Sequence, residues 1–121
     1  MKLQPDTFDV QAISGYGPGW VAVNGEKITH SVIVASTGER IAWEAGRFED
    51  LGPAHFAQLA QLRIEVAIFG SGARLRFPQP AWLKALIDAQ VGLETMDTAA
   101  ACRTYNILMG EGRNVVAALV V

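Results

Sequence analysis

The spacing of apolar and polar residues changes rhythm near the middle of the chain. In the first part, short apolar stretches alternate with polar positions and are separated by dense turn signals. The stretch Phe8 to Ser14 alternates and ends at Gly15-Tyr16-Gly17-Pro18-Gly19, which reads as a loop between strands. A second strand spans Trp20 to Val23. Asn24-Gly25 then predicts a tight hairpin, because both residues tolerate the positive φ that such a turn requires. A third strand is expected from about Lys27 to Ala35, with Ile28, Val32 and Val34 on one face. Thr37-Gly38 turns the chain into Ile41 to Glu44. The glycines near Gly15 lack a following helix and a Gly-Lys-Ser/Thr ending, so they do not read as a phosphate cradle.

Helix and strand alternate from Asp50 onward. Pro53 suits a first helical position, and Phe56, Leu59 and Ala60 give an apolar face to a helix ending near Leu62. Ile64 to Phe69 is an almost unbroken apolar strand that stops at Gly70-Ser71-Gly72. A second helix is expected from Pro80 to about Gln90, with Gly92 ending it, and then a strand from Leu93 to Met96. Asp97 is a helix N-cap before Thr98 to Met109, and Gly110 and Gly112 supply left-handed conformations at the far end. On a helical wheel Ala99, Arg103, Asn106 and Gly110 share one narrow stripe. The rest is largely apolar, so a mostly buried helix is expected. Asn114 to Val121 reads as a strand covered on both faces. The pattern therefore predicts an α/β fold: one domain over residues 1–121, with a mixed central β-sheet. Its C-terminal half is a parallel βαβαβ unit, and its antiparallel N-terminal part extends the sheet or covers one side.

Composition narrows the possible functions. The chain has 121 residues with ten basic and twelve acidic side chains, a formal net charge of −2, and no basic stripe. Nucleic acid is therefore not an expected partner. One cysteine excludes an internal disulfide, and two scattered histidines give no metal-ligand spacing, so neither metal nor cofactor is expected. Met1 to Asp6 is too short and polar for a signal peptide, and no apolar run reaches the roughly 18 residues of a membrane span. A cytoplasmic location is the expectation.

The topology brings candidate chemistry to one place. With the Ile64 and Leu93 strands parallel, the Gly70-Ser71-Gly72 loop and the Asp97-Thr98 helix start both leave the carboxyl edge of the sheet, where ligands of open α/β sheets bind. Backbone N–H groups, the hydroxyls of Ser71 and Thr98, and the nearby Arg74 and Arg76 could together hold a small anion or polar ligand. Equally, the glycines could serve only a tight turn, with Asp97 occupying the N–H groups itself. Arg103, on the polar stripe of its helix, calls for a partner among Asp97, Glu94 and Glu111. Glu111 and Arg113 mark the turn after that helix, as a tie or as part of a docking surface. His30 and His55 have no carboxylate or nucleophile in a recognisable relation to them. Cys102 reads as a buried, inert thiol, with its place near a helix N-terminus the one argument for reactivity.

Met96-Asp97-Thr98, the run Ala101-Cys102-Arg103-Thr104-Tyr105-Asn106-Ile107-Leu108, and Glu111-Gly112-Arg113 together resemble the family called domain of unknown function 498. Earlier segments agree in order: Gly15-Tyr16-Gly17, Asn24-Gly25, Trp43, and a Gly-hydroxyl-Gly loop followed by Phe77-Pro78. Ser71 stands where the family is expected to carry threonine. The family includes the mitochondrial assembly factor of NADH:ubiquinone oxidoreductase, respiratory complex I. The resemblance implies an α/β domain with a mixed sheet, no established enzymatic activity, and protein partners among complex I subunits or assembly proteins. Two functional readings follow. One is a non-enzymatic docking protein, peripheral to the membrane, with Glu111 and Arg113 as candidate interaction residues. The other is a small-molecule or anion-binding protein, or an unrecognised enzyme, with a pocket at Gly70, Ser71, Gly72, Asp97, Thr98 and Arg103.

Overall fold

In the computed structural model, which describes residues 10–121, the strands β6 (Val66–Gly70) and β8 (Val115–Leu119) form the centre of a five-stranded sheet. Its order is β5 (Arg40–Ala42), β4 (Val32–Ala35), β8, β6 and β7 (Gly92–Met96). β6 is parallel to both β7 and β8, whereas β4 is antiparallel to β8 and to β5. A separate antiparallel sheet contains β1 (Ile13–Gly17), β2 (Trp20–Val23) and β3 (Glu26–Ile28). The helices are α1 (Pro53–Leu59), α2 (Lys84–Asp88) and α3 (Thr98–Gly110), with 3-10 turns at Phe48–Asp50 and Pro80–Leu83. The expected mixed α/β architecture is present, and the antiparallel first third both extends the central sheet and covers one side of it.

Because side chains alternate along a strand, the central strands feed two cores at once. Val115, Ala117, Leu119, Ile68, Val32 and Val34 face α3 and the three-stranded sheet, meeting Ala101, Cys102 and Tyr105. Val116, Ala118, Ala67, Phe69 and Ile33 face α1 and α2. There Trp43, Phe48, Phe56, Phe69 and Trp82 form an aromatic cluster, with Phe56 and Phe69 centroids 5.3 Å apart. Continuous apolar runs in β6 and β8 are the direct result of this double coverage.

Several local expectations need correction. The single strand expected over Lys27 to Ala35 is two strands, β3 and β4, which belong to different sheets; the chain crosses between them at Thr29-His30-Ser31. Gly15 to Gly17 lies within β1 and not in a loop. The Trp20 indole lies across it, and a Cβ at Gly17 would come within 2.5 Å of Trp20 Nε1. The turn is confined to Pro18-Gly19. The helix expected over Pro80 to Gln90 is a 3-10 turn followed by the short α2, and Gln90 takes the left-handed conformation that ends it (φ 59°), while Gly92 starts β7. The strand expected from Phe8 begins only at Ile13, and Phe8 and Asp9 lie outside the described residues.

Other expectations hold. Asn24 and Gly25 turn the β2–β3 hairpin with φ of 50° and 84°. Asp97 caps α3, its carboxylate accepting from the Ala100 N–H at 2.9 Å. At the other end of α3 Gly110 is helical and only Gly112 is left-handed (φ 81°). The N–H groups of Gly112 and Arg113 bond back to the carbonyls of Met109 and Leu108, which closes the helix.

Candidate functional site

Gly70 ends β6 and Met96 ends β7, so the glycine loop and the start of α3 leave the same carboxyl edge. They are bonded to each other there. Ser71 N–H donates to the Met96 carbonyl and Thr98 N–H to the Gly72 carbonyl, each at 2.9 Å. The Thr98 hydroxyl accepts from Gly72 N–H (2.9 Å) and donates to the Val120 carbonyl (2.7 Å). Ser71 is buried; its hydroxyl donates to the Arg74 carbonyl (2.7 Å) and accepts from Arg76 N–H (2.9 Å). Both hydroxyls and the loop N–H groups are thus spent on holding Gly70-Ser71-Gly72, the Arg74-Leu75-Arg76 segment, α3 and the end of β8 together. Gly72 sits at φ 107°, a conformation open to glycine and strained for other residues.

Beside this knot lies a groove of about 770 Å³. Ser71, Gly72, Asp97 and Thr98 form part of one wall. Tyr16 to Trp20 of the β1–β2 hairpin and Arg47 to Glu49 form the others, with Arg74, Arg76, Val120 and Val121 completing the lining. Most of the exposed lining is carbon. Arg76 lies over the Phe48 ring at 4.2 Å and bonds Glu49 at 2.8 Å, and this contact holds the Glu49 carboxyl below the usual carboxylate range. The carboxylate of Asp97 is directed to its cap. Among the described residues no histidine, cysteine or lysine lines the groove.

The other candidate residues are placed differently from expectation. Gly70 is not part of the groove lining; it is packed against Leu119, Thr98 and Ala101. Arg103 is exposed, and its hydrogen bond among the described residues goes to no acidic side chain: a guanidinium N–H donates to Tyr16 Oη at 2.9 Å, with the group 5.9 Å over the same ring, and of the expected partners Asp97 acts on it through its charge alone. It therefore braces the hairpin wall from behind. α3 is less buried than its composition implies, since Ala101, Cys102 and Tyr105 are buried while Ile107 is 61% exposed. Glu111 and Arg113 stand at the opposite end of this 13-residue helix, about 20 Å from the groove. Arg113 pairs with Glu65 at 3.2 Å, not with Glu111. The strongest signals missed in sequence are Trp20 and Phe48, whose distance from the glycine loop along the chain hid their place beside it.

His55, Cys102 and Tyr105 are committed to structure, whereas His30 is exposed, with Nδ1 3.0 Å from the Ser31 carbonyl. The His55 ring accepts from Gly52 N–H at Nδ1 and donates from Nε2 to the Glu44 carbonyl (3.1 and 2.8 Å). Burial pushes the Cys102 thiol up from 9.0 to about 12, against a small opposing effect of Arg103, and burial likewise raises the Tyr105 phenol. Each is an acid whose folded-state value is raised, so its contribution to stability is complete below the unfolded value and is lost as pH rises towards the folded one. The urea midpoint is therefore expected to hold steady to about pH 8 and to fall above about pH 9. Cys102→Ala should flatten that fall. An equally steep fall in the variant would remove Cys102 as a cause.

Comparison with known proteins matches this architecture. The chain is 30% identical to NADH dehydrogenase (ubiquinone) 1 alpha subcomplex assembly factor 3 of Xenopus tropicalis, over 98% of this chain and 66% of that protein, so it spans just under two thirds of the relative's length. The crystal structure of a Bordetella parapertussis protein superposes with a TM-score of 0.85 at 38% identity, covering 91% of this chain and 94% of that one. The solution structure of a Bordetella pertussis protein, described as a Mth938-like domain, superposes at 0.80 with 33% identity, covering 98% and 91%. The model of the protein family of unknown function DUF498/DUF598 matches residues 13–120, and the chain belongs to that family.

Proposed function

We propose that this chain is a non-enzymatic docking protein that acts in the assembly of an NADH:ubiquinone oxidoreductase, receiving a protein partner at the groove beside the glycine loop. One observation carries the reading: the groove is wide and mainly apolar, yet the side-chain hydroxyls of Ser71 and Thr98 and the side-chain carboxylates of Glu49 and Asp97 in its described lining are engaged in contacts within the fold. Tyr16 itself accepts from Arg103. Catalysis of proton transfer or covalent catalysis needs a nucleophile or base free to meet substrate. A docking surface needs apolar area rimmed by polar groups, and the groove has that. The assembly-factor name of the relatives supports the same direction. Among the described residues no helix is long and apolar enough to cross a membrane, so a role at a membrane-bound complex would be taken from its surface.

The reading is tested by affinity purification of the tagged full chain from gently solubilised cells, with quantitative mass spectrometry. The expected result is enrichment of subunits or assembly proteins of the respiratory NADH dehydrogenase over an untagged control. Phe48→Asp, which places a charge on the groove wall, should reduce that enrichment about tenfold or more. Failure of the wild-type chain to enrich any such protein would overturn the reading.

A further inference from the structure

The charge of the groove differs from that of the chain around it. The protein as a whole carries −2, but the groove is lined by Arg47, Arg74 and Arg76 against Glu49 and Asp97. Arg76 and Glu49 neutralise each other at 2.8 Å, and Asp97 is turned to the Ala100 N–H. Arg47 is held only loosely, with Asp50 at 3.7 Å. Arg74 is exposed and makes no hydrogen bond or ion pair through its guanidinium among the described residues. Among the described residues Arg74 therefore stands without a partner and Arg47 with only a loose, exposed one, beside the apolar lining that Trp20, Phe48 and Val120 supply.

From this we infer that the groove takes an acidic segment of a protein partner, one that alternates carboxylates with aliphatic or aromatic side chains. The inference rests on the docking reading above and names the chemistry of what docks. Charge complementarity supplies the choice: carboxylates reach Arg47 and Arg74 at the rim while apolar side chains cover the floor. A small ligand is a poorer fit, because such sites fix orientation with several convergent polar groups, and here the hydroxyls of Ser71 and Thr98 and the N–H of Gly72 face one another or the backbone. Nucleic acid is a poorer fit still, since the three arginines of the lining face the carboxylates of Glu49 and Asp97 in the same groove. The walls are also fixed in advance. Arg103 holds Tyr16, and Phe48 is wedged against Phe69 and Trp82, which reduces the ordering that binding would otherwise require.

The test is selection of random dodecamer peptides displayed on phage against the immobilised full chain, followed by fluorescence anisotropy with one selected peptide. The expected pool is enriched in Asp and Glu interleaved with apolar residues. Binding of the synthesised peptide should weaken about tenfold with Arg74→Glu, further with Arg47→Glu added, and again as salt is raised from about 0.1 to about 1 M. Both arginines are exposed, so the urea midpoints of the variants should match the wild type, and a matched midpoint shows that lost binding is not lost folding. No enrichment, a neutral or basic pool, or affinity indifferent to the double charge reversal would overturn the assignment. Displacement of the peptide by inorganic phosphate at low millimolar concentration would also overturn it, in favour of a small-anion site. If the Arg47→Glu/Arg74→Glu chain still enriches respiratory NADH dehydrogenase proteins from cells, the docking reading stands and this assignment alone falls.

Discussion

Gly70→Ala is expected to destabilise the protein by about 1–3 kcal/mol, although alanine and still more valine are better strand residues than glycine. The reason is the distance between layers. A Cβ at Gly70 would sit 2.9 Å from Leu119 Cδ2, 3.0 Å from Thr98 Oγ1 and 3.1 Å from Ala101 Cβ. Leu119 and Ala101 are buried, and Thr98 is fixed by bonds to Gly72 and Val120. The added carbon therefore meets neighbours that have little room to move. Strand preference favours the substitution by up to about 1 kcal/mol, less than the overpacking it causes, and Gly70→Val should be worse than Gly70→Ala. Gly92→Ala is the control: it too lies in a parallel strand, has nothing within 4 Å of its added Cβ, and should leave stability almost unchanged. Ala101→Gly costs about 1 kcal/mol in a helix on its own, yet should recover part of the loss when combined with Gly70→Ala. Urea midpoints of the four variants and the double decide the matter. A Gly70→Ala midpoint at the wild-type value would mean that α3 can retreat from the sheet without loss, and the close approach would then have no role in placing the glycine loop.

The same glycine shows what the amino-acid sequence reveals and where it stops. Local features were legible because the residues that determine them are neighbours in the chain. The Asn24-Gly25 turn, the Asp97 cap and the unbroken apolar runs of β6 and β8 each depend on a few consecutive positions. So was the meeting of the glycine loop with the helix start, since parallel strands place both at one edge. The sheet exchange after Ile28 was not legible: Ile28, Val32 and Val34 keep a common spacing and all enter one core, although β3 and β4 belong to different sheets. Nor was the partner of Arg103, because Tyr16 lies 87 positions away. The groove was half legible for the same reason. Its glycine-loop wall comes from adjacent βα turns, whereas Trp20 and Phe48 reach it only through the packing of the second sheet and the aromatic cluster. In the run Ala101 to Leu108, which carries the family resemblance, Arg103, Tyr105 and Asn106 are bonded to β1 and the segment leading into it.

Asn106→Ala should release the three-stranded sheet from the rest of the molecule before the central sheet yields. The Asn106 side chain acts as a missing strand neighbour: Oδ1 accepts from Ile13 N–H at 2.9 Å and Nδ2 donates to the Ile13 carbonyl at 2.7 Å. Tyr105 donates its hydroxyl to the Gln11 carbonyl, and Arg103 reaches Tyr16. Three successive contacts along β1 and its approach thus come from little more than one turn of α3. Ile13 is buried, so truncating Asn106 leaves a donor and an acceptor short of partners, at a cost of about 2–3 kcal/mol. The loss should be local. Hydrogen exchange at Val21, Val23 and Ile28 should accelerate more than at Ile68 or Ala117, because the latter are held by the β6–β8 ladder, whereas the side-chain hydrogen bonds of Asn106 go to Ile13. Asn106→Asp separates hydrogen bonding from packing. It retains the acceptor for Ile13 N–H but sets a carboxylate oxygen against the Ile13 carbonyl, which favours the protonated acid and raises its folded-state value. Its stability should therefore recover as pH falls to about 4 and below, where the introduced carboxyl regains a proton to donate, whereas Asn106→Ala should show no such recovery. Uniform acceleration of exchange across both sheets would contradict local release. Parallel pH profiles for the two variants would mean that the amide serves packing alone, and the hold of α3 on β1 would then rest with Tyr105 and the apolar core beneath it.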